Sequence, residues 1–547
     1  MADIFSLIPA TTVREWLNDN DEIALFDVRE AGEFGEGHPF FAVPLPYSRL
    51  ELDIGRLAPR RDVRIVLLDA GTDDQAIARR AARRLHALGY TRLSVLKDGA
   101  RGWAAAGYTL FKGVNVPSKT FGELVEHAYG TPHISAAELA RLQAERAPLI
   151  LLDGRTVEEH TKMTIPGAVS CPNGELAYRF GALAADARTP VVIHCAGRTR
   201  SIIGAQVLRS LGVPNPVVAL ENGTQGWALA GLQLEHGSTR RYPDTIEEAV
   251  SSEARERATA LAARFAVTTL DVQAAQAWLD AVERTTYLLD IRSAAEFAHD
   301  GVPAAVHAPG GQLLQATDQT IGVRRARVLL VDYDGTRAPV IAAWLVQLGL
   351  ETALVAARDA HALRRLAPQA AAHGAVEEQL IDADGLRKLR GAEGVHVLDL
   401  RSSAAYRSGH PERAQWSIRP RLLAALAEVA PSQRIVLLAE SRSLAALAAL
   451  DLREAGIGQV SIAKDGIDTF RQAGYAIEAS PQAPADSERI DYLFFVHDRH
   501  EGNLDAARAY LAWETGLIAQ CAPDELQQFR FDPQASDAGT LAEAVHS

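Results

Sequence analysis

Cysteine is scarce in this chain of 547 residues, in which only Cys171, Cys195 and Cys521 occur. Three cysteines are too few for a disulfide-stabilised fold, and they favour a reducing compartment. The sequence has no apolar run of the roughly 18 residues that indicate a transmembrane helix. The first residues lack the basic and apolar segments of a signal peptide. We therefore expect a cytoplasmic protein that does not associate with membranes.

Basic residues are outnumbered, with 56 Lys and Arg against 69 Asp and Glu, for a net charge of −13. This balance argues against nucleic acid or an anionic membrane as a partner. Hydrophobic residues make up 48% and charged residues 23% of the chain, which is ordinary for globular proteins. At roughly 150 residues per domain, the length predicts about three to four domains.

The sequence repeats itself four times, and each copy begins with a short apolar run that ends in Asp-x-Arg. Such a run is typical of a buried parallel strand. The four pairs are Asp27 and Arg29, Asp153 and Arg155, Asp290 and Arg292, and Asp399 and Arg401. Their recurrence predicts a pair that stabilises the fold rather than one that takes part in catalysis.

A second apolar run follows in every copy at a nearly constant distance. It ends 42 residues after the Asp of the first run in three copies, at Asp69, Cys195 and Asp332, and 40 residues after it in the fourth, at Ala439. A polar loop and an Ala/Leu-rich helical stretch come next. Three copies then close with a segment containing DG or NG, at 97–103, 221–227 and 464–470. Alternating strands and helices predict an α/β fold in which each repeat has a mostly parallel sheet flanked by helices.

The repeats divide the chain into five parts. We expect modules 1 to 4 at 1–116, 132–236, 265–366 and 378–480, and a C-terminal helical extension at 481–547. Linkers are predicted at 113–131, at 236–264, where the sequence is charged and helical in character, and at 367–378. In the extension, helical spacing predicts an amphipathic helix that docks on the repeats or on another subunit; its residues are Leu504, Ala507, Tyr510, Leu511, Glu514 and Leu517.

The candidate nucleophile is Cys195, at the end of the second strand of module 2. The string HCAGRTRS places Gly197 in the next loop, Arg198 and Arg200 beside the thiol, and Ser201 at the predicted N-cap of a helix. Helix N-termini and nearby arginines lower the pKa of a thiol, and the thiolate is the nucleophilic form. An inert buried thiol is the alternative, but it would not need a glycine and two arginines within five residues.

Together, the four-fold repeat, the Asp-x-Arg strand, the cysteine loop and the closing segment resemble the rhodanese superfamily of sulfurtransferases over nearly all of 1–480. The resemblance implies four tandem rhodanese-like modules, of which module 2 is catalytic. Cys195 would take the outer sulfur of a small anionic donor such as thiosulfate as a persulfide, and a thiol or cyanide acceptor would remove it. No cofactor or metal is expected. The expected substrate-binding residues are Ala196, Gly197, Arg198, Thr199, Arg200, Ser201 and Arg179.

Two other functions stay open. A Cdc25-like phosphatase also carries a His-Cys…Arg-Ser string, but phosphatase loops place five residues between Cys and Arg, whereas four separate Cys195 from Arg200. The shorter loop favours sulfur over phosphate. A non-enzymatic scaffold or a redox or persulfide sensor is the second alternative, since three of the four modules lack the cysteine. A homo-oligomer is also open.

The other three modules are expected to be inactive, because a carboxylate or a methyl group cannot carry a sulfane sulfur. Asp69, Asp332 and Ala439 stand where module 2 has Cys195. Further negative charge, which would repel anionic donors, comes from Asp73, Asp74 and Asp334. Binding of a different ligand by Asp332, Gly335 and Arg337 is a remaining possibility, since this loop position generally favours ligands.

Arg179 and Cys171 are weaker candidates. The resemblance places Arg179 near the rim of the active site, where it would contact an anionic substrate, although an exposed salt-bridging arginine is an equal interpretation. Cys171 is interpreted as a small buried residue. A resolving cysteine for the Cys195 persulfide is the alternative.

Overall fold

The computed structural model describes residues 4–72, 75–356, 359, 362–363, 379–389, 395–429, 433–500 and 502–532. Four five-stranded parallel sheets lie in these residues, one in each repeat, and all share one order: first, fifth, fourth, second and third strand. The expected α/β fold of four tandem modules is therefore confirmed. The predicted linker at 367–378 lies outside the described residues, as do Asp73 and Asp74.

Module 1 contains five strands and five helices that alternate along the chain. They are β1 (Ser6–Ile8), α1 (Ala10–Asn18), β2 (Ile23–Asp27), α2 (Ala31–Glu36), β3 (Val43–Pro44), α3 (Leu50–Leu57), β4 (Arg64–Leu68), α4 (Ala76–Ala87), β5 (Leu93–Leu96) and α5 (Gly99–Ala105).

Module 2 has the same alternation. Its elements are β6 (His133–Ile134), α7 (Ala136–Ala144), β7 (Ile150–Asp153), α8 (Val157–Lys162), β8 (Val169–Ser170), α9 (Leu176–Leu183), β9 (Val191–His194), α10 (Thr199–Ser210), β10 (Val217–Leu220) and α11 (Gly223–Leu229). Helix α6 (Val116–Tyr129) precedes this module and α12 (Glu248–Arg264) follows it.

Modules 3 and 4 repeat the plan with small changes. Module 3 has β11 (Thr268–Leu270), α13 (Val272–Asp280), β12 (Thr286–Asp290), α14 (Ala294–Asp300), β13 (Val306–His307), α15 (Gly310–Gln315), β14 (Arg327–Val331), α16 (Arg337–Gln347) and β15 (Glu351–Val355). Module 4 has β16 (Leu380–Ile381), α17 (Ala383–Leu389), β17 (Val395–Asp399), α18 (Ser403–Ser408), β18 (His410–Pro411), β19 (Gln415–Trp416), α19 (Leu422–Ala425), β20 (Arg434–Leu438), α20 (Arg442–Glu454), β21 (Val460–Ala463), α21 (Ile467–Gln472) and β22 (Ile477–Glu478). Strands β18 and β22 form a separate antiparallel pair.

In the described part of the C-terminal extension, four α-helices follow module 4: α22 (Phe494–His497), α23 (Leu504–Thr515), α24 (Leu517–Gln520) and α25 (Pro523–Leu526). The docked amphipathic helix expected here is α23, which buries Ala507, Tyr510, Leu511 and Glu514. Leu504 is an exception to the predicted face, since it is exposed. None of the helices that the structure describes is long and apolar enough to cross a membrane.

The Asp-x-Arg pairs are ion pairs at the ends of the second strands. In module 2, Nη2 of Arg155 lies 2.7 Å from Oδ2 of Asp153, and both side chains are buried. Arg29, Arg292 and Arg401 bind the aspartate two residues earlier in the same way. The pair occurs both with and without the cysteine, and its role in stabilising the fold stays a prediction.

The segment 113–131, predicted as a linker, is instead largely the buried helix α6. Val116, Phe121, Leu124 and Val125 lie in a hydrophobic core that continues through modules 1, 2 and 3 and the extension. Nine residues of the helix are buried, including polar ones, because α10 and the extension pack against it. The predicted helical character of 236–264 is confirmed by α12.

Candidate active site

Cys195 directly follows β9 in module 2, at the carboxyl end of a central strand. Its thiol donates to the hydroxyl of Ser201, with the two atoms 3.6 Å apart, and the residue is 2% exposed. Helix α10 begins at Thr199, and its N-cap residue is Arg198. The prediction that Ser201 is the N-cap was therefore wrong by one turn. The Ser201 hydroxyl instead donates to the carbonyl of Arg198 at 2.8 Å.

The loop after Cys195 presents free backbone N–H groups. Within the residues that the structure describes, no acceptor binds the N–H groups of Ala196 through Arg200. Such groups at a helix N-terminus bind anions and stabilise a thiolate. The loop can therefore hold negative charge on Cys195 and on a sulfur atom attached to it.

The corresponding loops of modules 1 and 3 are occupied by their own carboxylates. Asp69 accepts hydrogen bonds from the N–H groups of Gly71 and Ala78, at 2.9 and 3.0 Å. Asp332 does the same with Gly335 and Ala338, at 3.0 and 2.8 Å. In these loops, the side chain at the cysteine position fills part of the space that an anion would occupy. Neither side chain can act as a sulfur nucleophile.

Both arginines of the cysteine loop are bound to carboxylates. Arg198 forms two 2.9 Å hydrogen bonds with Glu123 on α6 and also contacts Glu126. Arg200 forms bonds of 2.7 and 2.8 Å with Glu159 on α8. Their positive charge is thus largely balanced, and the attraction of the loop for anions comes mainly from its N–H groups.

Arg200 has an equivalent in module 3, where the cysteine is absent. Arg337 stands five residues after Asp332, as Arg200 stands five after Cys195, and it binds Glu296 as Arg200 binds Glu159. The repetition indicates that this ion pair positions the loop. Arg337 is also bound by Glu175 and Asp334, so its charge is already compensated by three carboxylates.

The closing segment of module 2 holds the cysteine loop from one side. The N–H groups of Thr224 and Gln225, at the start of α11, donate to the carbonyls of Cys195 and Ala196 at 2.8 and 3.1 Å. Gly223 has φ +52°, and a Cβ atom there would lie 2.2 Å from the Cys195 carbonyl oxygen. Only glycine fits this close approach without moving the backbone of the nucleophile.

The other side of the loop is covered by α23 of the C-terminal extension. One carboxylate oxygen of Glu514 accepts hydrogen bonds from the Thr199 hydroxyl at 2.8 Å and from the Lys119 ammonium group at 3.1 Å. A Cβ atom on Gly197 would lie 3.1 Å from the second oxygen of Glu514. That oxygen is buried and accepts no hydrogen bond from the part of the chain that is described. Burial alone would raise the pKa of Glu514, but Lys119 and Thr199 lower it, so the carboxylate is ionised.

Comparison with known proteins was made on both sequence and structure. The model of the rhodanese-like domain matches residues 9–106 and 135–230. A crystal structure of thiosulfate sulfurtransferase from Pseudomonas aeruginosa is 40% identical, with a TM-score of 0.89, and the match covers 96% of this chain and 100% of that one. The chain belongs to the rhodanese superfamily of sulfurtransferases. The predicted family is thus confirmed.

Two further matches are partial. A helix-turn-helix-type transcriptional regulator of Mycobacterium tuberculosis is 33% identical over 117 residues, which is 21% of this chain. The match spans half the length of that curated relative. The crystal structure of a rhodanese-related protein from Thermoplasma volcanium is 26% identical, with a TM-score of 0.17, over 19% of this chain and 97% of that one.

In this rhodanese, Arg179 is neither exposed nor free. It is buried on α9, where it binds Glu175 at 3.1 Å and the carbonyls of Pro243 and Asp244 at 3.1 and 2.8 Å. The interpretation of Arg179 as a salt-bridging residue is confirmed by its ion pair with Glu175, but its expected exposure was wrong, because the segment before α12 folds over it. Its expected contact with an anionic substrate stays a prediction.

Cys171 lies in the core beside the sheet of module 2. It is 0% exposed, and burial raises the pKa of its thiol well above the usual range. These properties match the interpretation of a small buried residue rather than a reactive thiol. Among the described residues, no group of three or more His, Cys, Asp or Glu side chains is arranged to bind a metal ion.

Several residues at the rhodanese site were not found by sequence reasoning. Lys119 and Glu123 were assigned to a linker, and Glu514 was seen only as one position on an amphipathic face. Gln225, whose amide also donates to the Ala196 carbonyl at 3.0 Å, was read as part of a structural motif. The only feature of the sequence that points to these residues is a charged residue on the buried face of a predicted helix, which Glu514 provides.

The ion pair of Lys119 and Glu514 is expected to hold the extension on the catalytic loop. Lys119→Met should lower stability by about 3–5 kcal/mol, because it leaves a buried carboxylate without its cation. The double variant Lys119→Met/Glu514→Gln should recover most of this loss. Chemical denaturation of the three proteins measures both effects.

The matched control is Arg141 on α7, an exposed residue that forms ion pairs with Glu138 and Glu145. Arg141→Met should cost less than about 1 kcal/mol, as is usual for surface ion pairs. A double variant at Lys119 and Glu514 that is as unstable as Lys119→Met would contradict the assigned role of the buried pair.

Proposed function

We propose that the protein is a sulfurtransferase with one working site, in which Cys195 carries sulfur from a donor to an acceptor. The observation that supports this most directly is a thiol followed in sequence by five backbone N–H groups, those of residues 196–200, that have no acceptor in the described residues. A sulfur-carrying cysteine needs such groups, because both its thiolate and its persulfide are anionic. The membership in the rhodanese superfamily supports the same reaction.

In the first half-reaction, the Cys195 thiolate attacks the outer sulfur of a donor such as thiosulfate. A sulfur–sulfur bond forms to Cys195, the bond between the outer sulfur and the sulfonate sulfur breaks, and sulfite leaves with the electron pair. The negative charge then lies on the outer sulfur of the persulfide. In this proposal, the N–H groups of Ala196 through Arg200 bind that charge.

In the second half-reaction, an acceptor thiolate or cyanide attacks the outer sulfur of the persulfide. The bond to Cys195 breaks, and the cysteine leaves as the thiolate in which it began. The products are a persulfide of the acceptor or thiocyanate. No electron donor or acceptor besides the substrates is required, and we propose no cofactor.

The remaining assignments belong to the same proposal. Ala196, Gly197, Arg198, Thr199, Arg200 and Ser201 form the substrate loop, in which Arg198 and Arg200 act by positioning the loop through Glu123 and Glu159. Arg179 is kept as a residue of the site's rim. The low exposure of Cys195, at 2%, supports a small donor. The partners are a small sulfur donor and a thiol acceptor, in the cytoplasm.

Steady-state kinetics with a panel of donors and acceptors test the proposal. We expect thiosulfate with cyanide or a small thiol to give many turnovers per Cys195. The panel includes a mercapto acid as donor and a phosphate ester, whose hydrolysis we do not expect. A single sulfur transfer per protein without further turnover would instead support a persulfide sensor or scaffold. Hydrolysis of the phosphate ester alone would support a phosphatase.

A further inference from the structure

A second pocket, separate from Cys195, lies between modules 1 and 4. It is a cavity of about 630 Å³ at the carboxyl ends of β2 and β4, and it includes residues 420–423 of module 4. It lies beside the loop of module 1 that corresponds to the cysteine loop of module 2, where Asp69 already accepts hydrogen bonds from backbone N–H groups. Cavities of this size are typical of small-molecule sites, and the carboxyl ends of parallel strands are where α/β proteins bind ligands.

Three of the arginines on the cavity wall have no carboxylate at ion-pair distance among the residues that the structure describes. Arg80 and Arg83 come from α4, and Arg421 comes from module 4. Arg80 donates to the carbonyl of Pro420 at 3.5 Å and Arg421 to that of Glu488 at 3.1 Å. In the described part of the chain, none of the three forms an ion pair, whereas both arginines of the cysteine loop do. Unpaired guanidinium groups that face one cavity indicate an anionic ligand.

Three acids also line the cavity, but their oxygens bind other groups. Glu30 accepts hydrogen bonds from the N–H and hydroxyl groups of Ser48, at 3.0 and 2.8 Å. Glu33 accepts from the N–H group of Glu30 at 3.3 Å, and Asp69 accepts from the loop N–H groups described above. Burial raises the pKa of all three carboxyls, that of Glu30 to about 7. Among the described residues, which do not include Asp73 and Asp74, the acids therefore offset the charge of the arginines only in part.

The rest of the wall includes apolar side chains from both modules. Ile77 lies on α4, Leu423 on α19, and Ile490 in the segment that follows module 4. These apolar side chains provide a surface for the uncharged part of a ligand. The guanidinium groups provide hydrogen-bond donors for its anionic oxygens. Phosphate is suited to arginine because several of its oxygens can accept from one guanidinium fork.

We propose that this cavity binds an organic phosphate of nucleotide size. Its phosphate groups contact Arg80, Arg83 and Arg421, and its uncharged body packs on Ile77, Leu423 and Ile490. The ligand touches both modules and so stabilises their contact. The site is independent of sulfur transfer at Cys195, so either proposal can fail without the other.

Isothermal titration of the full-length protein with ADP tests the site. We expect ADP to bind with one-to-one stoichiometry and to raise the melting temperature, since a ligand that binds only the folded state stabilises it. Adenosine lacks the phosphates and pyrophosphate lacks the nucleoside. Each should bind at least tenfold more weakly than ADP. Binding should weaken as salt is added.

Arg83→Gln is the decisive variant, because Arg83 is exposed and its replacement removes no described contact. We expect it to weaken ADP binding at least tenfold with an unchanged melting temperature of the free protein. Arg92→Gln, at another exposed arginine of module 1 outside the cavity, is the matched control and should bind as the parent does. No binding of ADP, or equal binding by Arg83→Gln and the parent, would overturn the site. Pyrophosphate binding as tight as that of ADP would overturn the role of the apolar wall.

Discussion

Replacing Cys195 with serine is expected to abolish sulfur transfer, with a loss of about a thousandfold or more in kcat. A serine hydroxyl at this position can still donate a hydrogen bond to the Ser201 hydroxyl, as the thiol does, so the loop should keep its shape, but it cannot form a persulfide. The change tests the nucleophile while leaving the N–H groups of the loop in place. Steady-state assays with thiosulfate and cyanide measure it.

Three variants serve as controls for the cysteine. Cys171→Ala should keep turnover, because Cys171 is a buried residue of the core. Asp69→Ala and Asp332→Ala should also keep it, because those carboxylates occupy the loops of modules 1 and 3 and do not touch Cys195. Residual turnover in Cys195→Ser that matches that of the Cys171 variant would show that another group carries the sulfur.

Gly223→Ala is expected to reduce the rate of sulfur transfer about a hundredfold, on the order of what a displacement of about 1 Å in an active site costs. A Cβ atom at this position would lie 2.2 Å from the carbonyl oxygen of Cys195, and the residue has φ +52°. The backbone of Cys195 must therefore move. Kinetics under conditions where the variant is folded, as judged by circular dichroism, measure the loss.

Module 1 supplies a matched control for this variant. Gly99 has φ +51°, and a Cβ atom there would lie 2.4 Å from the carbonyl oxygen of Asp69. Gly99→Ala should destabilise the fold to a similar extent, by at least the 1–2 kcal/mol or so of a left-handed non-glycine residue. It should leave the rate per folded molecule unchanged. An equal loss of rate in both variants would mean that general destabilisation, rather than movement of Cys195, explains the effect.

The fold could be predicted from the sequence because its main signals are local. Each buried strand is a continuous apolar run, and the constant distance from Asp153 to Cys195 and from Asp27 to Asp69 revealed the repeat. The position of Cys195 between a strand and a helix follows from the same local pattern. The exact start of α10 did not follow, since the Ser201 hydroxyl binds a carbonyl rather than a helical N–H group.

The surroundings of the site depend on contacts between distant parts of the chain. Thr199 and Glu514 are separated by 315 residues in sequence and yet share a hydrogen bond. The partner of Arg198 is Glu123 on α6. This segment resembles a linker in sequence because polar residues interrupt its apolar face. The predicted positive charge at the thiol is thus balanced by acids that no local pattern assigns to the site. Which acids balance the charge of the arginines is decided by tertiary packing.

Mass spectrometry of the intact protein and of its Cys195 peptide after incubation with thiosulfate tests the central claim most directly. The account predicts that Cys195 gains the mass of one sulfur atom, that cyanide removes this mass with formation of thiocyanate, and that Cys171 and Cys521 stay unmodified. Absence of the added sulfur on Cys195 with every sulfane donor tried, while turnover continues, would contradict it.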